Sequence, residues 1–475
     1  MDTKIKIGLF GIGLETYWSQ FEGLRERLLG YQQIIAGNIS RHDVEVIDAG
    51  LIDNPVAAQQ AADCLKREDV QLVFLYVSTY ALSSTVLPVV QKIKVPVIVL
   101  NLQPTAAIDY ATFNASQDRV KMTGEWLAHC QACSVPEIAN VLLRSGIDFH
   151  QVTGVLRDDP VAWQEINDWI EAARVTEIMR KNRVGLLGHY YGGMLDIYSD
   201  LTNHSKQFGC HFELLEMAEL RYLRENAESS AVDCKIVQIR EHFDVQADCG
   251  ETEIRRAAQT AVALDRLVEH HRLGSLAYFS NGTGDDTYVD LTGSVIVGNS
   301  LLTASGIPVA GEYEVKNVQA MKILDSFGAG GSFTEFYALD FNDDVILMGH
   351  DGPGHTKIAE GKTKLKPLKV YHGKTGHGLS VEMRVRSGAV TLLSVIDAPD
   401  GVLRLLVAEG ESVPGAILEI GNTNSRYRFP FGVRKFIDAW CSYGPAHHCA
   451  VGIGHIAEKL KKFADLLGME AICIN

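Results

Sequence analysis

The first half of the chain alternates short apolar runs with helix-like stretches, and this pattern restricts the fold more than any other feature. Runs rich in valine, isoleucine and leucine occupy residues 4–12, 44–50, 70–78 and 95–103. The segments between them, such as 54–69, place their apolar residues at helical spacing. Continuous apolar strands joined by helices are typical of parallel strands covered on both faces, so the sequence predicts an α/β architecture.

The same pattern restarts in the middle of the chain. A charged helix is predicted at 163–182, and the apolar run at 183–191 follows it. Residues 251–280 indicate a helix that leads into another strand. The middle segment is therefore predicted to be a second α/β domain.

The last third changes character from about residue 331, where strand-like runs are separated by glycine turns. The stretch SVEMRVR (380–386) alternates apolar and other residues, as a half-buried antiparallel strand does. A closing helix is predicted at 452–468. The sequence thus predicts three domains, which are N-terminal α/β (1–182), central α/β (183–330) and C-terminal β-rich (331–475).

Charge and hydropathy exclude several classes of partner. The formal charge of -15 argues against a nucleic-acid partner, which requires a basic face, but it permits a neutral polyol. No apolar run reaches about 18 residues, so no membrane span is expected. The N-terminus lacks the features of a signal peptide, and we expect a cytoplasmic protein. The lone CxxC of Cys130 and Cys133 favours free buried thiols over a zinc site.

Four glycine-flanked segments concentrate metal-type ligands in the second half. They contain Glu312 and Glu314 (GEYEVKN), Glu335 (GAGGSFTEFY), His350, Asp351 and His355 (ILMGHDGPGH), and His447, His448 and His455 (GPAHHCAVGIGH). Two glutamates and two histidines would hold a divalent ion such as Mn²⁺ and leave positions open for substrate oxygens. A polarised carbonyl makes the neighbouring C–H acidic, and a carboxylate can take and return that proton. The set suits aldose–ketose isomerisation, although single Glu and His residues beside glycines are more often surface residues.

In order and spacing, these segments resemble motifs of the L-arabinose isomerase and L-fucose isomerase-like family. GEYEVKN resembles the segment in which a glutamate ligand precedes a lysine, and GGSFTEFY resembles the segment with the second glutamate. DDVILMGHDGP and GPAHHC resemble the segments that carry the two histidine ligands. The resemblance spans nearly the whole chain. It implies two Rossmann-like parallel-sheet domains followed by a β-rich C-terminal domain.

The resemblance also implies an activity and an assembly. It assigns a divalent metal, expected to be Mn²⁺, to Glu312, Glu335, His350 and His448, with the two glutamates as the acid/base pair. His447 is then a substrate contact or a support for the ligands. The implied enzyme is an intramolecular oxidoreductase of carbohydrate metabolism that acts on a free pentose or hexose. Its family pattern implies a homotrimer or homohexamer with sites completed between subunits.

Departures from the family pattern predict a sugar other than L-arabinose. Glu15 replaces a substrate-contacting glutamine, Tyr17 adds aromatic bulk beside it, and Glu125 replaces a histidine that reaches a neighbouring subunit's site. Met194 is retained, but an arginine near it is not. With His447, these residues form the predicted substrate-binding set, and a changed set of polar groups selects different hydroxyls. The two added carboxylates are expected to disfavour phosphorylated or sulfonated sugars unless a basic side chain offsets them.

Two alternatives stay open at the level of sequence. Tandem α/β domains also suit a sugar-binding module without catalysis, although a pure binder has no need of a metal and two carboxylates. An isomerase or epimerase of a modified sugar would keep the same site and change only the product.

Overall fold

The computed structural model describes residues 4–281, 286–370 and 376–474, and its chain divides into two compact units. Unit 1 is Met1–Glu177 and unit 2 is Ile178–Asn475. Within the described ranges, every helix is too short or too polar to cross a bilayer. The three-domain division, with boundaries at 182 and 330, stays a prediction.

Unit 1 is built on a five-stranded parallel sheet in the order β2-β1-β3-β4-β5. Its strands are β1 (Lys6–Ile12), β2 (Glu45–Ile52), β3 (Leu72–Val77), β4 (Val97–Gln103) and β5 (Phe149–Val155). Its helices are α1 (Leu24–Ile39), α2 (Pro55–Arg67), α3 (Leu87–Ile93), α4 (Tyr110–Ala115), α5 (Arg119–Leu127), α6 (Gln131–Arg144) and α7 (Pro160–Arg180), which ends in unit 2. This is the doubly wound order, with its topological switch between β1 and β3.

Local sequence explains these elements. All six residues of β3, LVFLYV, are buried, as expected for a parallel strand between helical layers. Helix α2 begins where Asn54 accepts hydrogen bonds from the backbone N–H groups of Val56 and Ala57, and Pro55 occupies its first turn. The predicted parallel-sheet architecture of the first half is confirmed.

Unit 2 begins with a second parallel sheet in the order β10-β9-β6-β7. Its strands are β6 (Arg183–Gly188), β7 (His211–Leu215), β9 (Ser275–Phe279) and β10 (Val309–Ala310), while β8 (Asp244–Val245) joins a separate small sheet. Its helices are α8 (Leu201–Phe208), α9 (Met217–Glu225), α10 (Ser229–His242), α11 (Glu251–His271), α12 (Asp286–Thr292), α13 (Val295–Ala304) and α14 (Val315–Ser326). The carboxyl ends of β6, β9 and β10 meet at one edge of this sheet.

A strand-rich region follows and confirms the predicted β-rich C-terminal part. Its strands are β11 (Ser332–Asp340), β12 (Val345–His350), β13 (Lys364–Pro367), β14 (Leu379–Glu382), β15 (Gly388–Asp397), β16 (Leu403–Val413), β17 (Thr423–Arg428), β18 (His448–Ile453) and β19 (Ala471–Ile474). The pairing order is β15-β18-β11-β12-β17-β16, and β15 also pairs with β16, so the six strands close into an antiparallel barrel. β19 extends β16 in parallel, and β13 and β14 form the small sheet with β8. The remaining helices are α15 (Gly432–Ser442) and α16 (Ala457–Leu466).

Three local expectations were wrong. The closing helix is shorter than 452–468, because its first residues complete β18, and it is followed by β19. β14 is antiparallel to β13 as predicted, but all four of its residues are buried. Its Glu382 carboxylate is accommodated by a hydrogen bond from Lys366 Nζ at 2.7 Å. Cys130 is a buried free thiol, whereas Cys133 is exposed.

Candidate active site

A strained turn after β10 presents Glu312. Both Glu312 and Tyr313 have left-handed backbones, with φ of 57° and 64°. This conformation costs a residue with a side chain about 1–2 kcal/mol. The turn is fixed because Tyr313 N donates to the Tyr278 carbonyl and Glu314 N to the Gly311 carbonyl, each at 3.0 Å. Strain of this kind clusters at functional sites, which marks the turn as a candidate.

Three imidazoles surround the Glu312 carboxylate. Its Oε2 lies 3.6 Å from Nε2 of both His447 and His448, and its Oε1 lies 3.9 Å from His350 Nε2. These separations are too long for hydrogen bonds. The ligand atoms of Glu312, His447 and His448 all lie within 4.8 Å of one another.

His448 is oriented by a second buried carboxylate. Its Nδ1 donates to Glu314 Oε2 at 2.5 Å, and both side chains are fully buried. Because a carboxylate only accepts, this bond places the proton on Nδ1 and leaves the Nε2 lone pair facing Glu312. A histidine metal ligand is held in this way by a carboxylate behind it.

His447 is held in a different manner. Asp196 Oδ2 accepts from the backbone N–H of His447 at 2.9 Å and contacts its Nδ1 at 2.6 Å. Burial lowers the pKa of His447, but the carboxylates of Glu312 and Asp196 outweigh it and raise the pKa to about 9. Lys316 Nζ donates to the Asp196 backbone carbonyl and so fixes the segment that carries this aspartate.

Glu335 and His350 lie on neighbouring barrel strands. In β11, Glu335 is directly opposite His448 of β18 on one side and Gly349 of β12 on the other. Directly opposite side chains share a face, with Cβ atoms about 4.5–5.5 Å apart. The Phe333 ring contacts both histidines, with centroid distances of 4.4 Å to His350 and 4.3 Å to His448.

The four predicted ligands are therefore brought together within unit 2. Glu312, Glu335 and His350 line one cavity of about 400 Å³, and His448 adjoins it through its contacts with Glu312 and its pairing with Glu335. Further lining comes from the aromatic residues Tyr191, Tyr278, Phe279, Phe336 and Tyr337 and from Asn422. A concave site with convergent polar groups and aromatic walls suits a small polar ligand.

The donor set fits a divalent cation. Glu312 Oε2 and His448 Nε2 are buried, and neither has a hydrogen-bond partner among the described residues. Leaving such atoms unsatisfied is costly. Two ligands of one ion, each bonded at about 2.1 Å, lie roughly 3–4 Å apart, which matches the 3.6 Å between these atoms.

The predicted substrate contacts at Glu15, Tyr17 and Glu125 lie in unit 1. Glu15 is exposed and begins the short 3-10 turn that follows β1, at the switch point of its sheet. Tyr17 packs edge-on against Trp18 and Phe21. Their part in binding sugar stays a prediction.

Arg27 is the basic side chain that offsets Glu125. Its guanidinium donates to both carboxylate oxygens, at 2.5 and 3.0 Å. This bond holds the pKa of Glu125 below its usual value. Glu125 therefore adds no net charge to its surroundings.

Met194, in unit 2, is half-buried two residues before Asp196, and its role is also still a prediction.

Sequence reasoning missed two residues of the site. Glu314 was named from the sequence beside Glu312 but was given no role, whereas its carboxylate accepts a hydrogen bond from His448. Its position two residues after Glu312 in the same segment was the available signal. Asp196 is 251 positions from His447, and no spacing pattern connects the two.

Fold and site together define a class: an α/β protein with a C-terminal barrel and a buried Glu–His centre suited to a divalent cation. The family model of the L-arabinose isomerase C-terminal domain matches residues 330–470. The C-terminal part of the chain is thus similar to this domain, and L-arabinose isomerases match about two thirds of the chain at low identity.

The matches to L-arabinose isomerases are partial as well as distant, and the chain spans less than two thirds of the length of the first relative below. The L-arabinose isomerase of Shewanella baltica (strain OS223) is 22% identical over 338 residues, which cover 66% of this chain and 63% of that enzyme. The one from Nocardioides sp. (strain ATCC BAA-499 / JS614) is 23% identical, with coverage of 71% and 69%. A periplasmic solute-binding protein from Actinobacillus succinogenes 130z with bound D-allose aligns at 13% identity over 68% of this chain and 92% of that one. Its TM-score of 0.17 carries no weight for fold or ligand.

Proposed function

We propose that this protein is a metal-dependent aldose–ketose isomerase, an intramolecular oxidoreductase that acts on an open-chain sugar. The observation that carries the proposal is the buried contact between Glu312 Oε2 and His448 Nε2, which face each other without hydrogen-bond partners. The similarity to L-arabinose isomerases supports the same reaction class. The sugar is proposed to differ from L-arabinose because Glu15 and Glu125 replace polar groups of the family pattern.

Glu312, Glu335, His350 and His448 would hold the cation, for which we propose Mn²⁺. When bound, such an ion polarises the sugar carbonyl and so acidifies the adjacent C–H bond. Carboxylate and imidazole ligands together suit Mn²⁺. Glu314 keeps the His448 lone pair directed at the site, and Asp196 fixes the His447 ring where it can contact a sugar hydroxyl.

The two glutamates divide the proton transfers in this proposal. Both oxygens of Glu312 face imidazoles, and this position suits a metal ligand. In this proposal Glu312 exchanges protons with the sugar hydroxyls and not with carbon. Glu335 lines the same cavity, and we assign to it the proton transfers at the carbon atoms of the sugar. It removes the proton from C2 to give an enediol and returns a proton to C1, while the hydroxyl proton passes from O2 to O1. The atoms of aldose and ketose balance without an external oxidant.

Turnover of a panel of pentoses and hexoses tests the proposal. Chelator-treated protein is assayed with and without added Mn²⁺, beside Glu335→Gln, which keeps the side-chain shape but cannot accept the proton. We expect Mn²⁺ to restore ketose formation in the wild type and Glu335→Gln to lower kcat by at least about 100-fold. The variant should still bind Mn²⁺, because an amide oxygen can remain a ligand.

Three results decide between the readings. Deuterium from solvent at C1 of the product supports proton transfer through the enediol. Sugar binding that persists without metal and without turnover would favour a binding module instead. A product that differs from the substrate at one stereocentre would indicate an epimerase. A homotrimer or homohexamer remains our expectation for the assembly, and sedimentation measures it.

A further inference from the structure

A second cavity abuts the candidate active site. It has a volume of about 500 Å³ and shares a wall with the first cavity, formed by Asp351, Ile420 and Asn422. Small-molecule sites commonly measure roughly 300–1,000 Å³, so either cavity alone is large enough for a sugar ring. A free pentose or hexose bound at the Glu312 centre would leave the second cavity without a ligand.

The polar lining of the second cavity does not favour an anion. Its lysines are Lys366 and Lys369, and Lys366 Nζ donates to Glu382 Oε2 at 2.7 Å. Three carboxylates, from Asp248, Asp351 and Glu419, also line it. Carboxylates thus outnumber the lysines, and a phosphate or carboxylate on the ligand would be repelled.

The same lining suits a ligand with many hydroxyls. The Gln246 side-chain N–H donates to the backbone carbonyl and the carboxylate of Asp244. The side-chain oxygen of Gln246 accepts no hydrogen bond within the described ranges. Asn422 donates to the Tyr337 hydroxyl and stands between the two cavities. Acceptors and donors mixed in this way match sugar hydroxyls, each of which both donates and accepts.

Apolar side chains at the shared wall complete the match. Leu418 and Ile420 lie on the connection between β16 and β17, and they are 43% and 67% exposed. Leu418 lines the first cavity, whereas Ile420 lines both. Apolar surface beside polar groups is what the C–H face of a sugar ring contacts. Leu418 and Ile420 supply such apolar surface at the boundary between the two cavities.

We propose that the substrate is a reducing sugar that carries a neutral glycosyl group on a hydroxyl remote from C1 and C2. The reducing residue occupies the cavity of Glu312 and Glu335, and the attached residue occupies the second cavity across Asn422. This inference rests on the proposed isomerase function and names its substrate class. It differs from the expectation of a free pentose or hexose.

Matched pairs of sugars test this substrate class. Lactose, melibiose and cellobiose are each compared with glucose, the free form of their reducing residue, using Mn²⁺-loaded wild-type protein. Glucose 6-phosphate and glucuronic acid serve as charged comparators. We expect at least one disaccharide to exceed its monosaccharide by about 10-fold or more in kcat/KM, and the charged sugars to be poor substrates.

Substitutions in the second cavity test whether the preference for a disaccharide depends on that cavity. Lys369→Trp fills the cavity and should lower kcat/KM for the disaccharide at least 10-fold without changing the monosaccharide value. Gln246→Ala should lower the disaccharide value about 3- to 10-fold, as expected for one lost hydrogen bond. Lys362→Trp is the control, because this exposed lysine belongs to the same segment and lines neither cavity.

The outcomes separate this inference from the isomerase proposal. Equal or better turnover of monosaccharides overturns the inference and leaves the isomerase intact, and so does a preference for the charged sugars. If no sugar is turned over, calorimetric titration with the same pairs replaces kinetics. Tighter binding of a disaccharide, weakened by Lys369→Trp, then supports the second cavity although the isomerase proposal has failed. Absence of such binding overturns the inference.

Discussion

Units 1 and 2 each contain a parallel sheet and a glutamate predicted to belong to the site, but the two carboxylates are satisfied in different ways. Glu125 of unit 1 is half-exposed, and Arg27 donates to both of its oxygens. Glu312 of unit 2 is largely buried, sits in a strained turn and faces three imidazoles at 3.6–3.9 Å. A carboxylate with matched donors stabilises a fold, whereas the Glu312 oxygen that faces the His448 lone pair requires something else between the two atoms.

Of the substitutions that compare the two carboxylate environments, replacement of Glu314 is expected to have the largest effect. Glu314→Ala removes the acceptor behind His448, so metal affinity should fall about 10- to 100-fold. Breaking a fully buried pair should also cost about 3–5 kcal/mol of unfolding free energy. Metal titration and urea unfolding measure the two effects.

Glu314→Gln is the matched control for this substitution. Its amide oxygen can still accept from Nδ1, so it should recover much of the metal affinity. Equal metal affinity in the wild type and both variants would contradict the assigned role of Glu314.

Replacement of Asp196 should have an intermediate effect, which should appear in kcat/KM and not in metal affinity. Asp196→Ala removes the acceptor of two bonds to His447, and kcat/KM should fall about 10-fold with little change in metal affinity. Asp200→Ala is the control from the same segment, because Asp200 caps α8. It should cost about 1 kcal/mol of stability and leave kcat/KM unchanged. If both variants lose activity equally, the segment acts only through folding.

Glu125 should have the smallest effect. Glu125→Gln should cost less than about 1 kcal/mol, because the Arg27 pair is exposed to solvent. The pKa of Glu125 is lowered by Arg27, so its contribution is present above the unfolded pKa and is lost as pH falls through the folded value. Unfolding of both proteins at pH 7 and at pH 3 measures this, and the difference should be smaller at the lower pH. A loss of turnover instead would place Glu125 in the site.

The sequence predicted what depends on local pattern. Strand β3 and helix α2 follow from runs of apolar residues and from the Asn54–Pro55 start of the helix. The four proposed ligands could be named from the sequence because each lies in a recognisable segment of a few residues. Glu314 was misjudged because its burial and the direction of its carboxylate depend on how β18 packs beside α14.

Contacts between positions far apart in the sequence could not be predicted. Arg27 and Glu125 are 98 positions apart, and neither has a neighbour in sequence that indicates the pair. The closure of the barrel was equally hidden, because strand runs specify neither their order nor the pairing of β15 with β16. Such contacts are set by the packing of whole elements and not by any short pattern.

The closed barrel has a consequence for how such a protein can diverge. β18, β11 and β12 are adjacent, and they carry His448, Glu335 and His350 at spacings fixed by interstrand hydrogen bonds. Leu418 and Ile420, by contrast, belong to the connection between β16 and β17. Insertions and exchanges in that connection can accumulate without moving the strands. Under the proposed function, exchanges at Leu418 and Ile420 would change which substrate fits while Glu335, His350 and His448 keep their positions.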